Sequence, residues 1–140
     1  MTDASEITFR VNYSETDRMG VAYYARHAVW LDMARTEFLR ERGMTYREVE
    51  DMGFRLVVAE MKIRYLKPAE YDDLIRVRCR VEDLGSRRVL FAYSIENGES
   101  GQVLAKAETN MVCLNADFSP TRIPKDVMTA LTRSPEPTPR

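Results

Sequence analysis

The stretch ARHAVWLDMARTEFLRER, residues 25–42, decides the fold because it is the long segment of this sequence with helical spacing. It contains neither glycine nor proline, and Trp30, Met33, Ala34 and Phe38 recur at intervals that place them on one face of a helix. Gly43 follows at a position where helices commonly end. The sequence therefore predicts one long amphipathic helix over residues 25–42.

Almost every other segment alternates apolar and polar residues, which is the pattern of a half-buried strand. The loops between the later strands are too short for a helical crossover, so we expect antiparallel pairing and an apolar sheet face covered by the helix. The small Ala105 and Ala107 predict that the helix backbone comes close to the last strand. The result is an α+β fold with a five-stranded antiparallel sheet around one long helix, its strands at about 7–13, 60–65, 75–82, 89–95 and 103–113.

The length of 140 residues, with 44% apolar and 31% charged residues, is typical of a single globular domain. The predicted domain covers residues 1–132, and the proline-rich residues 133–140 are expected to form a disordered tail. A net charge of −1 argues against nucleic acid or an anionic membrane as a partner. No apolar segment approaches the roughly 20 residues of a membrane span, and no signal peptide is recognisable, so the sequence predicts a cytoplasmic protein.

The sequence lacks the residues that several common enzyme mechanisms require. His27 is the single histidine, so a metal site with two histidines from one chain is excluded, and we expect neither a metal nor a cofactor. Cys79 and Cys113 lie in apolar alternating segments and are predicted to be buried, reduced thiols. The motifs G-x-S-x-G, G-x-G-x-x-G and the P-loop are also absent.

The segment YSETDRMGVAYY, residues 13–24, joins the first predicted strand to the helix and combines two acids with a glycine and an aromatic pair. Backbone N–H groups in the first turn of a helix have no partner within the helix, so they can bind an anion or a developing oxyanion. A carboxylate beside them can act as a base or a nucleophile. The alternative is that Asp17 only caps a turn or the helix.

These residues resemble the signature of the hotdog-fold acyl-CoA thioesterases of the 4-hydroxybenzoyl-CoA thioesterase type. That signature reads approximately Y-x-D-T-D-x-x-G-V-V-Y, followed by a helix with W/F-x-D/E-x-A-R, and residues 13–24 and 30–35 carry it. Residues 64–74, RYLKPAEYDDL, resemble a further element, R-Y-x-x-P-A-x-Y-D-D. The resemblance covers about residues 6–131 and implies the hotdog fold, hydrolysis of acyl-CoA thioesters and a homotetramer.

The resemblance also implies residue roles. The catalytic acid of the family falls on Asp17, Gly20 is expected to allow close backbone approach, and the amides around Tyr23 and Tyr24 are expected to polarise the thioester carbonyl. Whether Asp17 acts as a base or as a nucleophile stays open. Three positions depart from the common pattern, which has Asp at 15, often His at 24 and often Tyr at 27. The residues predicted to contact substrate are Tyr13, Glu15, His27, Trp30, Arg87 and Arg88.

Coenzyme A carries phosphates, so a local basic surface is expected despite the net charge. Arg87 and Arg88 are selected because they open a strand after a Gly-Ser pair. The other candidates project from strand faces, where they could equally pair with glutamates on a solvated sheet surface. They are Lys62, Arg64, Arg76, Arg78 and Arg80.

Three classes of function fit the sequence. The preferred one is a hydrolase of acyl-CoA or acyl-carrier-protein thioesters, because a protein that only binds thioesters has no use for Asp17. A non-catalytic acyl-thioester binding module is the second, and a dehydratase, which would lean on the lone His27, is the third. One helix can hardly cover five strands, so we expect a homo-oligomer, at least a dimer. The acyl group, the thiol half of the substrate and the choice between dimer and tetramer are not fixed by the sequence.

Overall fold

The computed structural model describes residues 3–135 and confirms the long helix and the five strands. The strands are β1 (Ser5–Arg10), β2 (Phe54–Tyr65), β3 (Leu74–Leu84), β4 (Arg88–Asn97) and β5 (Val103–Asn115). The helices are α1 (Arg26–Arg40), α2 (Tyr46–Asp51) and α3 (Lys125–Thr132). The two short helices α2 and α3 were not predicted.

All five strands form one antiparallel sheet in the order β1-β3-β4-β5-β2. The strands β3, β4 and β5 are consecutive neighbours, as their short loops predict. The strand β2, however, pairs with β5 rather than with its sequence neighbour β3, since residues 66–73 carry the chain to the other side of the sheet. This order leaves β1 and β2 as the two edges.

The helix α1 covers the inner face of the sheet with a row of fully buried side chains. Trp30, Leu31 and Phe38 are inaccessible to solvent, and the Phe38 ring meets Phe91 of β4 edge-on, with 5.5 Å between centroids. The backbone of α1 lies mainly against β1 and β3, and not against β5, where the small Ala105 and Ala107 led us to expect its close approach. Both alanines are buried.

The short helices each had a sequence signal. Thr45 and Glu48 form a capping box, in which each side chain bonds the backbone N–H of the other, and this defines the start of α2. In α3, Val127, Ala130 and Leu131 recur at helical spacing and are buried. Six and eight residues are too few for periodicity alone to reveal a helix.

Both cysteines are free and buried, as predicted. Burial raises the pKa of the Cys79 thiol to about 12, so this group stays protonated and unreactive at neutral pH. Within residues 3–135, no three His, Cys, Asp or Glu side chains come together in a way that could hold a metal ion. No helix in that range is long and apolar enough to cross a membrane.

The C-terminal segment is attached at its start. The fully buried Arg42 donates from Nε to the Arg133 carbonyl at 2.8 Å, and Arg133 donates back to the Arg42 carbonyl at 3.0 Å. The predicted disordered tail, residues 133–140, falls from residue 136 onward outside the described residues.

Candidate active site

A tight turn at residues 17–20 presents the candidate catalytic acid. The Asp17 N–H donates to the Val21 carbonyl at 2.9 Å, and the Gly20 N–H donates to the Asp17 carbonyl at 3.0 Å. Gly20 has a φ of +80°, a conformation that side-chain-bearing residues rarely adopt. A Cβ at Gly20 would meet no atom within 4 Å, so the backbone angle, rather than a close contact within this chain, explains the glycine.

The two oxygens of the Asp17 carboxylate have different surroundings. Oδ1 accepts the Met19 N–H at 2.8 Å, which is the hydrogen bond of an Asx-turn. Oδ2 has no hydrogen-bond partner among the described residues, and the side chain is half exposed. Asp17 therefore caps a turn and also presents one oxygen to solvent, so the two alternatives considered for it are compatible.

The backbone hydrogen bonds of residues 23–26 show which of the predicted oxyanion donors is free. The Tyr23 N–H donates to the Glu15 carbonyl at 2.7 Å and is thus occupied, which removes it from the predicted donors. The Tyr23 carbonyl accepts the Arg26 N–H at 2.9 Å. The Tyr24 N–H belongs to that same peptide and has no acceptor within residues 3–135. Of the two predicted donors, the Tyr24 N–H is therefore the one that is free, and the bond to its peptide carbonyl makes it a stronger donor.

Exposed aromatic rings surround this segment. Tyr13 packs edge-on against Tyr71 at 5.7 Å between centroids, and the Tyr23 and Tyr24 rings lie 4.6 Å apart. All four are exposed. The loop is tied to residues 69–73 because the Ala22 N–H donates to the Ala69 carbonyl at 2.6 Å. The Asp17 loop and the segment bonded to it therefore present four accessible aromatic rings.

The sequence profile of the thioesterase-like superfamily matches residues 11–131. The chain belongs to the thioesterase-like superfamily. It is 32% identical over 123 residues to the acyl-CoA thioesterase YbgC of Haemophilus influenzae, which covers 86% of this chain and 89% of that protein. It is 27% identical over 127 residues to the acyl-acyl carrier protein thioesterase ATL3 of Arabidopsis thaliana, covering 91% and 67%.

The solved structure of a thioesterase supports the same assignment. The DHNA-CoA thioesterase of Staphylococcus aureus superposes with a TM-score of 0.81 at 30% identity, covering 85% of this chain and 80% of that one. Together with the sheet order and the central helix, this confirms the hotdog fold, and this member of the superfamily is a thioester hydrolase.

In this thioesterase Glu15, a predicted substrate contact, has both carboxylate oxygens bonded within the chain. Its carboxylate is buried and accepts the Asn12 N–H at 2.9 Å, the Trp30 indole N–H at 2.9 Å and the Arg26 Nε–H at 3.3 Å. Burial alone would raise the pKa of Glu15, but these bonds to Asn12, Trp30 and Arg26 bring it below its usual 4.5. Glu15 thus joins the loop to α1.

Glu15→Gln is expected to lower the free energy of unfolding by about 1.5–3 kcal/mol at pH 7, since a hydrogen bond to a charged group contributes that much. One amide oxygen cannot replace two carboxylate oxygens, and the amide N–H₂ would face a donor. The folded-state pKa is depressed, so the stabilisation is present above pH 4.5 and is lost as the pH falls through the folded-state pKa. Urea unfolding measured from pH 3 to 7 should therefore show the two proteins converging in acid.

The matched control is Glu50→Gln, because Glu50 is exposed on α2 and makes no ion pair among the described residues. It should leave the unfolding free energy unchanged at every pH. An equal loss in both variants, or a loss in Glu15→Gln that does not shrink as the pH falls below 4.5, would contradict this role of Glu15.

The predicted substrate contacts His27 and Trp30 are also buried in this chain. Trp30 is fully buried, and its indole N–H is committed to Glu15. The His27 ring is buried between Trp30 and Tyr65, with centroids at 4.5 and 4.8 Å. Its Nδ1 lies 3.1 Å from the Tyr24 carbonyl, which can only accept, so the hydrogen is on Nδ1. Burial lowers the pKa of His27, so the ring is neutral at pH 7.

Arg87 and Arg88 do not lie beside Asp17 in the same chain. They precede and open β4 at the end of the sheet where β3 finishes, whereas the Asp17 loop lies beside the residues that precede β3. The 11 residues of β3 separate these ends by roughly 33 Å, at about 3.3 Å per residue. A contribution from these arginines therefore requires a second copy of the chain.

The remaining basic candidates lie on the outer face of the sheet. Arg76 and Arg78 both contact Glu96, at 3.0 and 3.3 Å, and Arg80 pairs with Glu82. This is the solvated, paired ladder that the sequence left open as an alternative. Lys62 and Arg64 make no ion pair within residues 3–135, but they too project from the face opposite α1.

Proposed function

We propose that this thioesterase hydrolyses acyl thioesters of coenzyme A or of a carrier protein, with Asp17 as the base or nucleophile and the Tyr24 N–H as the oxyanion donor. The observation that carries the proposal is the pairing of two free groups in one loop: the Asp17 Oδ2 and the Tyr24 N–H, neither of which has a partner among the described residues. The turn and the adjoining hydrogen bonds hold both in place.

The chemistry requires little more than these groups. If Asp17 is a base, it takes a proton from water as the oxygen attacks the carbonyl carbon, and the Tyr24 N–H stabilises the resulting oxyanion. The tetrahedral adduct then collapses, the C–S bond breaks and the thiolate leaves, taking up a proton. If Asp17 is a nucleophile, it displaces the thiolate to give a mixed anhydride, which water then hydrolyses.

The exposed tyrosine rings and the substrates of the relatives support the proposal for the acyl group. The rings of Tyr13, Tyr23, Tyr24 and Tyr71 offer stacking and apolar contact for an acyl group. The relatives act on acyl-CoA, on acyl carrier protein and on an aromatic CoA thioester, as their names state. We therefore propose that the acyl group is bound beside these rings.

The test of this function is thiol release from acetyl-, hexanoyl-, palmitoyl-, benzoyl- and 4-hydroxybenzoyl-CoA, followed with a disulfide chromophore. Release from at least one substrate supports the proposal, and the substrates that are hydrolysed indicate which size of acyl group the site accepts. If the protein binds acyl-CoA without releasing thiol, the hydrolytic function is wrong and a binding module takes its place. Turnover of carrier-protein thioesters alone would assign the thiol half of the substrate.

The functional unit that we propose is a homodimer formed through β2. This 12-residue edge strand leaves one row of backbone groups unpaired, and its apolar Val58 and Met61 are 42% and 46% exposed. Long apolar edges of this kind are normally covered. A second copy pairing antiparallel through β2 would extend the sheet to ten strands, and the tetramer implied by the family resemblance would join two such dimers.

Twofold pairing would also bring Arg87 and Arg88 to the site. It places the Phe54 end of one β2 beside the Tyr65 end of the other. Phe54 pairs with Asn115, and Arg88 pairs with Val112, so Arg88 lies at the Phe54 end of the sheet. Three strand spacings of about 4.8 Å would then separate the partner's β4 from this chain's β2, roughly 14 Å in all. The extended coenzyme A molecule can bridge that distance.

Met61→Glu is expected to convert the dimer to a monomer, since it places two carboxylates in the proposed apolar contact. The mass that light scattering gives for the eluted protein should halve, to 16.2 kDa from a wild-type dimer and to about twice 16.2 kDa from a tetramer of two such dimers. Met52→Glu is the matched control, because Met52 is 40% exposed and lies outside β2, so its mass should stay that of wild type. A monomeric wild-type protein, or equal dissociation of both variants, would contradict the β2 interface.

A further inference from the structure

We propose that Tyr65 is a positioning residue for thioester hydrolysis and acts through the backbone of Tyr24. The inference rests on the proposed function, because it concerns the geometry of the same oxyanion donor. Tyr65 is the last residue of β2, and its hydroxyl donates to the Tyr24 carbonyl at 2.7 Å. Forty-one residues of sequence separate the two, so this contact joins distant segments of the chain.

The Tyr24 carbonyl is held by two donors. Besides the Tyr65 hydroxyl, it accepts the Nδ1–H of His27 at 3.1 Å, so both of its lone pairs are used. The His27 ring also packs edge-on against the Tyr65 ring at 4.8 Å, which restricts the phenol to the orientation that makes the bond. The Tyr65 phenol, the His27 imidazole and the Tyr24 carbonyl thus each contact the other two.

These contacts fix the free N–H of Tyr24 from both directions along the chain. On one side, the Tyr23 N–H is bonded to the Glu15 carbonyl at 2.7 Å. On the other, the Tyr24 carbonyl is bonded to Tyr65 and His27. The peptide that carries the Tyr24 N–H lies between the two anchors, and its own carbonyl accepts the Arg26 N–H at 2.9 Å, so turning that N–H away would break this bond or displace an anchor.

Tyr65 makes the contribution that His27 cannot. His27 belongs to α1, the helix that Tyr24 itself leads into, so its bond holds Tyr24 only relative to that helix. Tyr65 belongs to the sheet, where it pairs with Ala105 and is followed by a bond of 2.9 Å from the Leu66 N–H to the Leu104 carbonyl. The Tyr65 hydroxyl therefore fixes the oxyanion donor relative to the rigid sheet.

Placement of this kind affects rate because an oxyanion donor works only when it is aimed in advance at the developing charge. Burial, with a further contribution from Tyr24, raises the pKa of the Tyr65 phenol above its usual 10.0. The hydroxyl consequently remains a donor throughout the neutral range in which the enzyme would be assayed.

The first test is Tyr65→Phe, which removes one hydroxyl and keeps the ring. We expect kcat to fall about 3–10-fold, the effect of one hydrogen bond of ordinary net strength, with KM unchanged. Tyr46→Phe is the matched control, since the Tyr46 hydroxyl has no hydrogen-bond partner within residues 3–135 and the residue lies on α2, outside the proposed site. It should retain the wild-type kcat.

The second test separates positioning from general stability. Replacing Tyr24 by its α-hydroxy analogue turns the Tyr23–Tyr24 amide into an ester and removes the N–H. In that background Tyr65→Phe should cause no further fall in kcat, because the group it positions is gone. The ¹⁵N shift of the Ala25 amide, which shares a peptide with the Tyr24 carbonyl, should move in Tyr65→Phe and not in Tyr46→Phe.

Several results would overturn the proposal. An active wild type with an unchanged kcat in Tyr65→Phe would overturn the role of Tyr65 alone, as would an equal loss of kcat in the ester background. A rise in KM without a fall in kcat would make Tyr65 a substrate contact instead. A wild-type protein that releases no thiol would overturn the proposed function and this role together.

Discussion

Asp17→Asn is expected to lower kcat for thioester hydrolysis by about 10²–10⁴-fold, the range typical of a general acid or base, while KM and the fold are preserved. Asparagine retains an Oδ1 that can accept the Met19 N–H, so the Asx-turn survives. Its amide can neither take a proton from water nor attack the carbonyl. Steady-state thiol release gives kcat and KM, and the melting temperature checks the fold.

Two further variants separate the two roles of Asp17. Asp17→Ala removes the turn acceptor as well as the charge, so it should lower both the melting temperature and kcat, whereas Asp17→Asn lowers kcat alone. Asp51→Asn is the neutral control, because Asp51 is exposed on α2 and makes no side-chain bond among the described residues. A folded Asp17→Asn protein with the wild-type kcat would exclude Asp17 from the chemistry.

Removal of the Tyr24 N–H is expected to lower kcat by about 10²–10³-fold, the cost of losing one oxyanion-hole donor. The amide-to-ester replacement at Tyr24 does this without changing the side chain, and a proline at that position would alter the backbone as well. The effect should appear in kcat rather than KM, because the N–H bonds strongly only to the oxyanion of the transition state.

The same replacement at Tyr46 provides the control. The Tyr46 N–H also has no acceptor within residues 3–135, and the Thr45 carbonyl of its peptide accepts the Val49 N–H, but Tyr46 lies on α2, outside the proposed site, so kcat should not change. An ester at Tyr24 also weakens the carbonyl that accepts the Arg26 N–H, and a modest fall in melting temperature is expected from that. Wild-type kcat in the Tyr24 ester would assign the oxyanion to another donor.

Helices and strands could be predicted where the apolar residues of one segment all lie on the same buried face. The helix was predicted at 25–42 and spans Arg26–Arg40, since its apolar face is continuous and glycine follows. The partner of β2 could not be predicted, because periodicity reports which face of a strand is buried and not which strand lies beside it. The choice of β5 depends on the path of residues 66–73 across the sheet.

The site was predicted less completely than the fold. Glu15 and His27 were predicted to contact substrate, and both are buried in this chain. A signal was available for His27, which shares the buried face of α1 with Trp30, Leu31 and Ala34 at helical spacing. None was available for Glu15, whose burial follows from the position of the Trp30 indole 15 residues away.

The measurement that tests the central claim most directly combines binding and turnover in one solution. Asp17→Asn is titrated calorimetrically with the acyl-CoA that the wild type hydrolyses fastest, and the same solution is then assayed for free thiol. We predict saturable binding of the intact thioester, and no thiol release in the time that the wild type needs to consume the substrate. Thiol release by the folded variant at the wild-type rate would contradict the assignment of Asp17.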